Sequence, residues 1–563
     1  MSKRQFAAVV VVATTLLGFM AYANTFVGDW VWDDVSSVLL HEHVQQPSQF
    51  FQLFKEDQHK FGRGQGNFYR PLVSASFMLD FWLSYDPVLD DAALKGYPDV
   101  KPLLFHLSNT LWHVAAALLL FFLLVRIQAP RMIQAVTPML FVLHPMHTEA
   151  VAYISGRADM MSATFVLAAL LCATTDDPRR KWLSAGVSAF FFILGLCSKE
   201  STMIYPILLG LMILLRPQPD GSVATRAVWK ARSLPLITGG GVLVLYGVLR
   251  SSVLKFSEGG ASSGAGLGTR LVETCQAFAF YVKTLFVPSD LHMEQTLAGT
   301  PIWSALIGLI FLATVLVILV VTVKRGYPRV ALGFAWFLAA WLPISGIFPL
   351  NAPMAEHWMY VPMAGFWWAL LELMLMLSKR LGMRLLVPVL TTVLALIFMY
   401  GTVQRNRDWR NNVSIFRATL AENPDTLRVH SNLATTYDYL EDNLPGARRH
   451  YEAVLARYSE INEGTILPEE IPIRLSLAKV LLRQGNYQEA LQFYGPMMQL
   501  QQQAEYKDSA VEATMGVGQC YLALGDYRSA SQVIQQAVAL DPAVADVAGD
   551  LLRGKPLPSV LRR

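Results

Sequence analysis

The sequence predicts an all-α protein in which a polytopic membrane domain of about eleven transmembrane helices precedes a soluble helical repeat array. Three observations support this prediction. Hydrophobic residues make up 53% of the 563 residues, whereas charged residues make up only 16%. Apolar stretches long enough to span a membrane alternate with polar loops up to about residue 403. Beyond that point the chain is more polar and repeats a pattern of small and bulky residues.

The first apolar stretch, at 6–22, follows a short basic start and has no clear signal-peptide cleavage site, so we interpret it as a transmembrane helix. The other predicted spans are 103–125, 132–148, 159–175, 182–198, 202–215, 234–250, 303–323, 330–348, 358–378 and 385–403. A semi-apolar helix near 270–287 is placed at the membrane interface, because a further span there would change the parity of the topology.

Lysines and arginines collect in alternate loops, and such loops usually face the cytoplasm. These cations include Lys3, Arg4, Arg126, Arg131, Arg179, Arg180, Lys181, Arg216, Arg226, Lys324, Arg325, Lys379 and Arg380. With the N-terminus inside, an odd number of spans places the C-terminal part outside. The outer loop at 26–102 has eleven acidic and six basic residues, a balance of −5, and a second long outer loop covers 251–302. The formal net charge is only +4, which disfavours nucleic-acid binding.

The predicted domains are a transmembrane domain at 1–404, a linker helix at 405–421 and a repeat domain at 422–550 with about three repeats. The repeat positions are Ala434, Tyr437, Ala447, Tyr451, then Ala478, Leu481, Ala490, Tyr494, then Gly518, Tyr521, Ala530, Ile534, Ala537 and Pro542. The last set matches the 34-residue tetratricopeptide pattern, in which small residues let two helices approach. A helical hairpin array without repeat ancestry is the alternative, and either array offers a concave surface for peptide.

Apart from the loop lysines and arginines named above, nearly every conspicuous polar residue next to an apolar span falls on the outer face in this topology. Such groups are costly there unless they serve a site, so their joint placement predicts a functional site. The candidate residues are Asp33, Asp34, Tyr69, Arg70, His144, His147, Glu149, Arg157, Asp159, Lys199, Glu200, Glu356, His357 and Tyr360. The sequence contains no Walker loop, dinucleotide fingerprint or nucleophile elbow, so nucleotide-driven chemistry is unsupported.

Asp33 and Asp34 follow the first span, beside an apolar run rich in tryptophan. Paired carboxylates beside an apolar wall can separate their proton affinities, which leaves one suited to act as a general base. The alternative is that an aspartate caps a loop helix.

His144, His147 and Glu149 lie close together at the outer end of the third span. Imidazoles and a carboxylate can bind a divalent metal, but this spacing is not an established zinc pattern and Pro145 interrupts the helical register. Hydrogen bonding to a sugar or to the aspartate pair is the favoured interpretation.

Arg70 and Lys199 are candidate cations for a phosphate, and Arg is the better bidentate partner. Arg157 could instead pair with Asp159 and fix a loop, and Lys199 could extend to the interface without binding a ligand. The aromatic residues that follow Glu356 are of a type expected at a membrane interface in any case.

Taken in order, these motifs resemble the transmembrane and tetratricopeptide-repeat-containing O-mannosyltransferases, which belong to the C-type glycosyltransferases. The resemblance covers nearly the whole chain. It rests on Asn24-x-Phe26-x-Gly28-Asp29-x-x-x-Asp33-Asp34, Tyr69-Arg70-Pro71-Leu72, His106-x-x-Asn109-x-x-x-His113, His144-Pro145-x-His147-Thr148-Glu149, Gly156-Arg157-Ala158-Asp159, Ser198-Lys199-Glu200 and Ala355-Glu356-x-x-x-Tyr360.

The resemblance implies that a sugar, expected to be mannose, moves from a polyprenyl- or dolichyl-phosphate donor to Ser/Thr hydroxyls on the non-cytoplasmic side, with the repeats docking the acceptor protein. It implies Asp33 as the catalytic base, supported by Asp34. The sugar or acceptor would contact His144, His147, Glu149, Asp159, Glu356 and Tyr360, and the lipid phosphate would contact Tyr69, Arg70, Arg157, Lys199 and His357. A divalent metal on His147 and Glu149 is a secondary hypothesis.

One departure concerns His357, which stands where relatives carry Arg, so a phosphate role there is weakened near neutral pH. The short repeat array favours a bacterial inner-membrane enzyme with periplasmic repeats, and the alternative is an endoplasmic-reticulum enzyme with lumenal repeats. Two other functions stay open: a transferase that modifies lipid-linked glycan or envelope polysaccharide, and a non-catalytic membrane scaffold that recruits partners through its repeats.

Overall fold

The computed structural model describes residues 1–58, 68–86, 100–174, 178–215, 226–253, 266–348, 350, 352–461 and 466–553. Within these residues the regular secondary structure is helical and no strand is present, as the sequence predicts. The chain divides into two compact units, Met1–Ser414 and Ile415–Arg563.

The described part of the first unit is built from helices. In chain order they are α1 (Lys3–Tyr22), α2 (Pro71–Ser84), α3 (Leu103–Arg126), α4 (Arg131–Leu143), α5 (Thr148–Val151), α6 (Arg157–Ala173), α7 (Lys181–Leu196), α8 (Tyr205–Leu215), α9 (Arg226–Val253), α10 (Leu267–Phe286), α11 (Trp303–Lys324), α12 (Pro328–Trp341), α13 (Tyr360–Arg380) and α14 (Leu386–Asp408).

Each predicted span coincides with one of these helices. Among the described residues, seven helices are long and apolar enough to cross a membrane: α1, α3, α6, α9, α11, α13 and α14. The helices α4, α7, α8 and α12 are apolar but shorter. The first unit is therefore that of a membrane protein, while a total of eleven spans stays a prediction. The predicted interfacial segment is α10, which carries Arg270, Glu273 and Lys283 and is not one of the seven.

Glycine allows two of the apolar helices to touch through their backbones. A Cβ on Gly333 of α12 would lie 2.9 Å from the carbonyl oxygen of Gly365, and a Cβ on Gly365 of α13 would lie 2.6 Å from that of Gly333. In an apolar environment such close approach, rather than the hydrophobic effect, holds helices together.

The second unit continues from α15 (Asn412–Glu422), which crosses the boundary between the units. The helices that follow are α16 (Leu427–Tyr439), α17 (Leu444–Ile461), α18 (Glu470–Arg483), α19 (Tyr487–Met498), α20 (Lys507–Ala523), α21 (Tyr527–Leu540) and α22 (Ala545–Leu552). Of the predicted repeat positions, all are buried except Tyr521, which is half-buried, and Pro542, which is exposed. The small and bulky residues therefore meet between paired helices.

Gly516→Ala is expected to lower the free energy of unfolding of the repeats by about 1–3 kcal/mol, because overpacking forces neighbours to move. The new Cβ would lie 2.4 Å from Cζ of the buried Tyr494 ring. Gly549→Ala is the matched control, since its Cβ would meet only Arg553 at 3.6 Å. Thermal unfolding of both full-length variants provides the measurement, and equal midpoints would contradict the packing argument.

Candidate functional site

A segment here called the junction (residues 153–159) comprises the turn before α6 and the first three residues of α6, and it contacts Asp33, Asp34 and Lys199. It forms a 3-10 turn at Ile154–Gly156 before α6 begins. Gly156 is required because a Cβ there would lie 2.7 Å from the carbonyl oxygens of both Glu149 and Ala150. The side-chain amide of Asn109 donates to the carbonyls of Val151, Tyr153 and Ile154 at 3.1, 3.1 and 3.3 Å. The junction is thereby fixed against α3.

Asp33 lies on a strained turn that faces the junction. Trp32 has φ +53°, a conformation that costs a bulky residue free energy and persists only when surrounding contacts hold it. The Trp32 amide donates to the Asn412 side chain at 2.7 Å. Asp33 is half-buried and within hydrogen-bonding contact of the Tyr153 hydroxyl. The strained turn therefore presents one carboxylate beside a phenol.

Three aromatic rings form a column beside Asp33. Trp32 stacks on Tyr153 with ring centroids 5.8 Å apart, and Tyr153 stacks on Trp409 at 5.2 Å. The guanidinium carbon of Arg405 lies 5.9 Å from the ring centroid of Trp409. This arrangement joins the loop after α1, the junction and the end of α14 into one wall.

Asp34 differs from Asp33 in that it is fully buried and its oxygens are both occupied. Oδ1 accepts from the Ser155 amide at 2.8 Å and Oδ2 from the Val31 amide at 3.1 Å. Burial raises the pKa of the Asp34 carboxyl to about 7, although these hydrogen bonds act in the opposite direction. Its side chain makes no capping bond to the short helix Val35–Leu39, so it anchors the turn to the junction rather than capping a helix.

The raised pKa of Asp34 predicts a pH dependence of stability. The ordinary Asp pKa is about 3.9, so between about pH 4 and 7 the folded state holds a proton that the unfolded state releases. The stabilisation is complete below about pH 4 and is lost as the pH rises towards 7. The melting temperature of the wild type should therefore fall relative to that of Asp34→Asn across this range. The exposed Asp29→Asn control should follow the wild type, and a constant gap between wild type and Asp34→Asn would refute the shift.

Glu149 holds His357 in place with both carboxylate oxygens. Oε2 accepts from the His357 amide at 3.0 Å, and Oε1 lies 3.0 Å from His357 Nδ1. Burial would raise the pKa of Glu149, but His357 and the nearby Arg405 reverse this and hold it below the ordinary value. Glu149 and His357, both predicted site residues, therefore form one pair, in which the His357 side chain is partly exposed.

Arg405 was not predicted from the sequence, yet it joins several site residues. Its NH2 nitrogen lies 3.5 Å from Glu356 Oε1 and its NH1 nitrogen lies 2.9 Å from Asp408 Oδ2. The Gln295 side chain also donates to Glu356 Oε1, at 3.3 Å. The sequence signal is a cation directly after an apolar span, at the start of the predicted linker at 405–421, and the structure shows that this cation is buried.

A second group of charges surrounds Arg70. The NH2 nitrogen of Arg70 lies 3.3 Å from Glu200 Oε2, and Lys199 Nζ lies 2.6 Å from Asp159 Oδ1. The side chains of Arg70 and Lys199 are 15% and 11% exposed, so ligand access is limited but present. Tyr69 is buried and its hydroxyl donates to the Phe54 carbonyl at 3.0 Å.

Arg157 is fully buried, and its guanidinium is engaged within the protein. It lies 2.6 Å from Asp80 and donates to Asn109 Oδ1 at 2.6 Å and to the Phe105 carbonyl at 2.9 Å. The ring of Phe77 lies 4.6 Å from the guanidinium carbon. It does not pair with Asp159, and these contacts favour a structural role over phosphate binding.

The remaining predicted residues lie in the interior. His144 Nε2 contacts the Leu285 carbonyl at 3.0 Å, and Tyr360 donates its hydroxyl to His113 Nδ1 at 2.6 Å, since Nε2 of His113 faces the Val142 carbonyl. His147 packs 4.5 Å from the Tyr360 ring, and its nitrogens have no hydrogen-bond partner among the described residues. No cluster able to hold a metal is found in the described ranges, and a metal requirement stays a hypothesis.

The comparisons with known proteins agree with this organisation. Two tetratricopeptide-repeat family models match residues 471–543 and 431–494. The chain is 24% identical over 438 residues to Protein O-mannosyl-transferase F38B6.6 of Caenorhabditis elegans, covering 74% of this chain and 58% of that protein. It is 26% identical over 502 residues to human Protein O-mannosyl-transferase TMTC1, covering 78% and 54%.

The chain is similar to proteins named protein O-mannosyl-transferases. A 204-residue match to Tmtc1 of Drosophila melanogaster reaches 30% identity, over 36% of this chain and 22% of that protein. The chain spans about half the length of the curated relatives first named above. A solved Archaeoglobus fulgidus oligosaccharyltransferase aligns over 80% of this chain and 59% of that one, with 12% identity and a TM-score of 0.37, a score too low to establish a shared fold.

Proposed function

We propose that this chain is an integral-membrane glycosyltransferase that moves a sugar from a lipid-phosphate donor to Ser or Thr hydroxyls of an acceptor protein on the non-cytoplasmic face. The names of its relatives support mannose as the sugar. The observation that carries the proposal is the contrast between a half-buried Asp33 and a fully occupied Asp34 on one strained turn. Such a pair supplies one carboxylate for chemistry and one for support.

In the proposed step Asp33 removes the proton from the acceptor hydroxyl, and the oxygen attacks the anomeric carbon. A carbon–oxygen bond to the acceptor forms while the bond to the lipid phosphate breaks, and the phosphate leaves with the electron pair. A base must lie within hydrogen-bonding reach of the proton that it removes, and the strained Trp32 turn fixes that position. The column of Trp32, Tyr153 and Trp409 would offer an aromatic wall to a sugar ring.

Arg70 and Lys199 are proposed to neutralise the departing phosphate. Both are partly exposed, and each now pairs with a single carboxylate, Glu200 and Asp159 respectively. A phosphate can exchange with a carboxylate partner because both accept charge-assisted hydrogen bonds from the same cation. Glu149, His357 and Glu356, which gather near Arg405, are proposed to orient the sugar or the acceptor.

A transfer assay tests the proposed function directly. The purified full-length chain in lipid nanodiscs is incubated with a radiolabelled polyprenyl-phosphate mannose and a Ser/Thr-containing peptide. We expect label on the peptide, at the hydroxyl oxygen, and no label when a nucleotide-linked mannose replaces the lipid donor. Label that appears only on an added lipid-linked glycan, or no label with any acceptor, would contradict the proposal. Enclosing the protein in oriented vesicles would show on which side the transfer takes place.

A further inference from the structure

The second unit contains an open cavity of about 220 Å³ among the helices α15, α16 and α17. Arg417 comes from α15, Tyr437 from α16, and Arg449 and His450 from α17. The residues that line it in the described part of the chain include two arginines and a histidine and no carboxylate. The cavity is therefore basic, and it lies at the start of the repeats.

The two arginines differ from their neighbours in having no acidic partner. Arg448 pairs with Glu452 at 2.7 Å and with Glu489 at 2.6 Å. No ion pair of Arg417 or Arg449 with a carboxylate is found among the described residues, and both side chains are exposed. Arg417 Nε donates to the Tyr437 hydroxyl at 2.8 Å, a neutral partner that leaves the positive charge uncompensated. A pair of uncompensated guanidiniums in one cavity favours an anionic ligand.

His450, which lines this cavity, contacts His430. His430 Nε2 faces the Pro424 carbonyl at 2.9 Å and must donate to it, so His430 Nδ1 is an acceptor. His450 Nδ1 therefore donates to His430 Nδ1 across 2.8 Å. Burial, then His430, Arg449 and Arg417, lower the pKa of His450 to about 4. That direction is expected where positive charge is not balanced by nearby carboxylates.

The first turn of α17 adds to this positive potential. Asn443 Oδ1 accepts from the Gly446 amide at 3.0 Å, so both residues lie at the N-terminal end of an 18-residue helix. The dipole of such a helix favours a negative charge near this end. A Cβ on Gly446 would lie 2.8 Å from the Tyr437 ring, which explains why the cavity floor is a glycine.

We propose that this cavity binds a carboxylate of the acceptor polypeptide, through charge-assisted hydrogen bonds from Arg417 and Arg449. The inference rests on the proposed function in one respect, namely that the repeats hold a protein acceptor. It adds that acceptors that carry an accessible carboxylate bind preferentially. The carboxylate can come from an Asp or Glu side chain or from the C-terminus of the acceptor.

Fluorescence anisotropy with the full-length protein in nanodiscs, in the absence of any sugar donor, provides the test. The probes are a labelled Ser/Thr peptide that contains two glutamates and a free C-terminus, the same peptide amidated, the same peptide with both glutamates replaced by glutamine, and one with both changes. We expect the doubly neutral peptide to bind at least about tenfold more weakly than the first, since it loses the charge-assisted hydrogen bonds to the guanidinium groups. Comparison of the two singly changed peptides identifies which carboxylate is bound.

Variants then assign the effect to the cavity. Arg417→Gln combined with Arg449→Gln should weaken binding of the acidic peptide by about tenfold or more and leave the neutral peptide unchanged. The matched control is Arg528→Gln, which removes one exposed cation from α21 and should alter binding by less than about twofold. Equal binding of all four peptides, equal effects of cavity and control variants, or no saturable binding of the acidic peptide would each overturn the inference.

The two proposals fail in different ways. Charge-dependent peptide binding without sugar transfer would support the cavity proposal and contradict the proposed function. Sugar transfer that depends on Asp33 but is indifferent to peptide charge would remove only the cavity proposal.

Discussion

Asp33→Asn is expected to reduce sugar transfer by about 10²–10⁴-fold, the usual contribution of a positioned general base. The change keeps the size of the side chain but removes its ability to accept a proton near neutral pH. Because Asp33 is only half-buried and Asp34 anchors the same turn to the Val31 and Ser155 amides, the variant should keep its fold. Transfer of label from polyprenyl-phosphate mannose to a peptide is the measurement.

The matched control for this variant is Asp29→Asn. Asp29 is exposed and lies on the same loop, where its carboxylate accepts from the adjacent Trp30 amide at 2.8 Å. Transfer by the control should stay within about twofold of the wild type. If Asp33→Asn inserts into the membrane, melts at the wild-type temperature and still transfers label at the wild-type rate, Asp33 is not the base.

Arg157→Gln is expected to lower the free energy of unfolding by about 3–5 kcal/mol, because it leaves the buried Asp80 carboxylate without its cation. It also removes a planar donor from Asn109, and Asn109 is the residue that fixes the junction against α3. The melting temperature in detergent is the measurement. Adding Asp80→Asn to the variant should recover part of the loss, since no buried charge then remains unpaired.

The same experiment separates the structural role of Arg157 from the phosphate role that the resemblance implies. Arg70→Gln is the comparison, since Arg70 is partly exposed and Glu200 is its one carboxylate partner among the described residues. It should raise the KM for the lipid donor with little change in melting temperature. Should Arg157→Gln instead keep the wild-type melting temperature and raise the donor KM, its guanidinium acts on the phosphate and our structural assignment is wrong.

Local sequence properties were sufficient to predict the helices. Each apolar span reappears as a helix because a long apolar segment in a membrane must satisfy its backbone hydrogen bonds internally, whatever its neighbours are. The repeat helices were equally predictable, since Ala478, Ala490 and Tyr494 occupy fixed offsets in one repeat and are buried as those offsets require. The cost of charge at a membrane boundary predicts a site in the loops near Asp33 and Glu149, and this location stays a prediction.

The partners of each charged residue depended on contacts between residues distant in the chain. Asp33 and Asp34 are adjacent and chemically identical, yet only the second meets the Ser155 amide, 121 positions away. Arg157 could not be assigned to Asp80 from spacing, because their contact requires α2, α3 and α6 to pack together. The contact of Arg405 with Glu356 likewise joins residues that are distant in the chain.

The sequence by itself therefore determined that this is a helical membrane protein with tetratricopeptide repeats, since span length and repeat offsets are local properties of the chain. Only the tertiary structure decided which carboxylate stays partly exposed, which cation is buried in internal contacts, and which arginines in the described part of the repeats have no carboxylate partner. The physical reason is that burial and ion pairing depend on the neighbours that folding brings together.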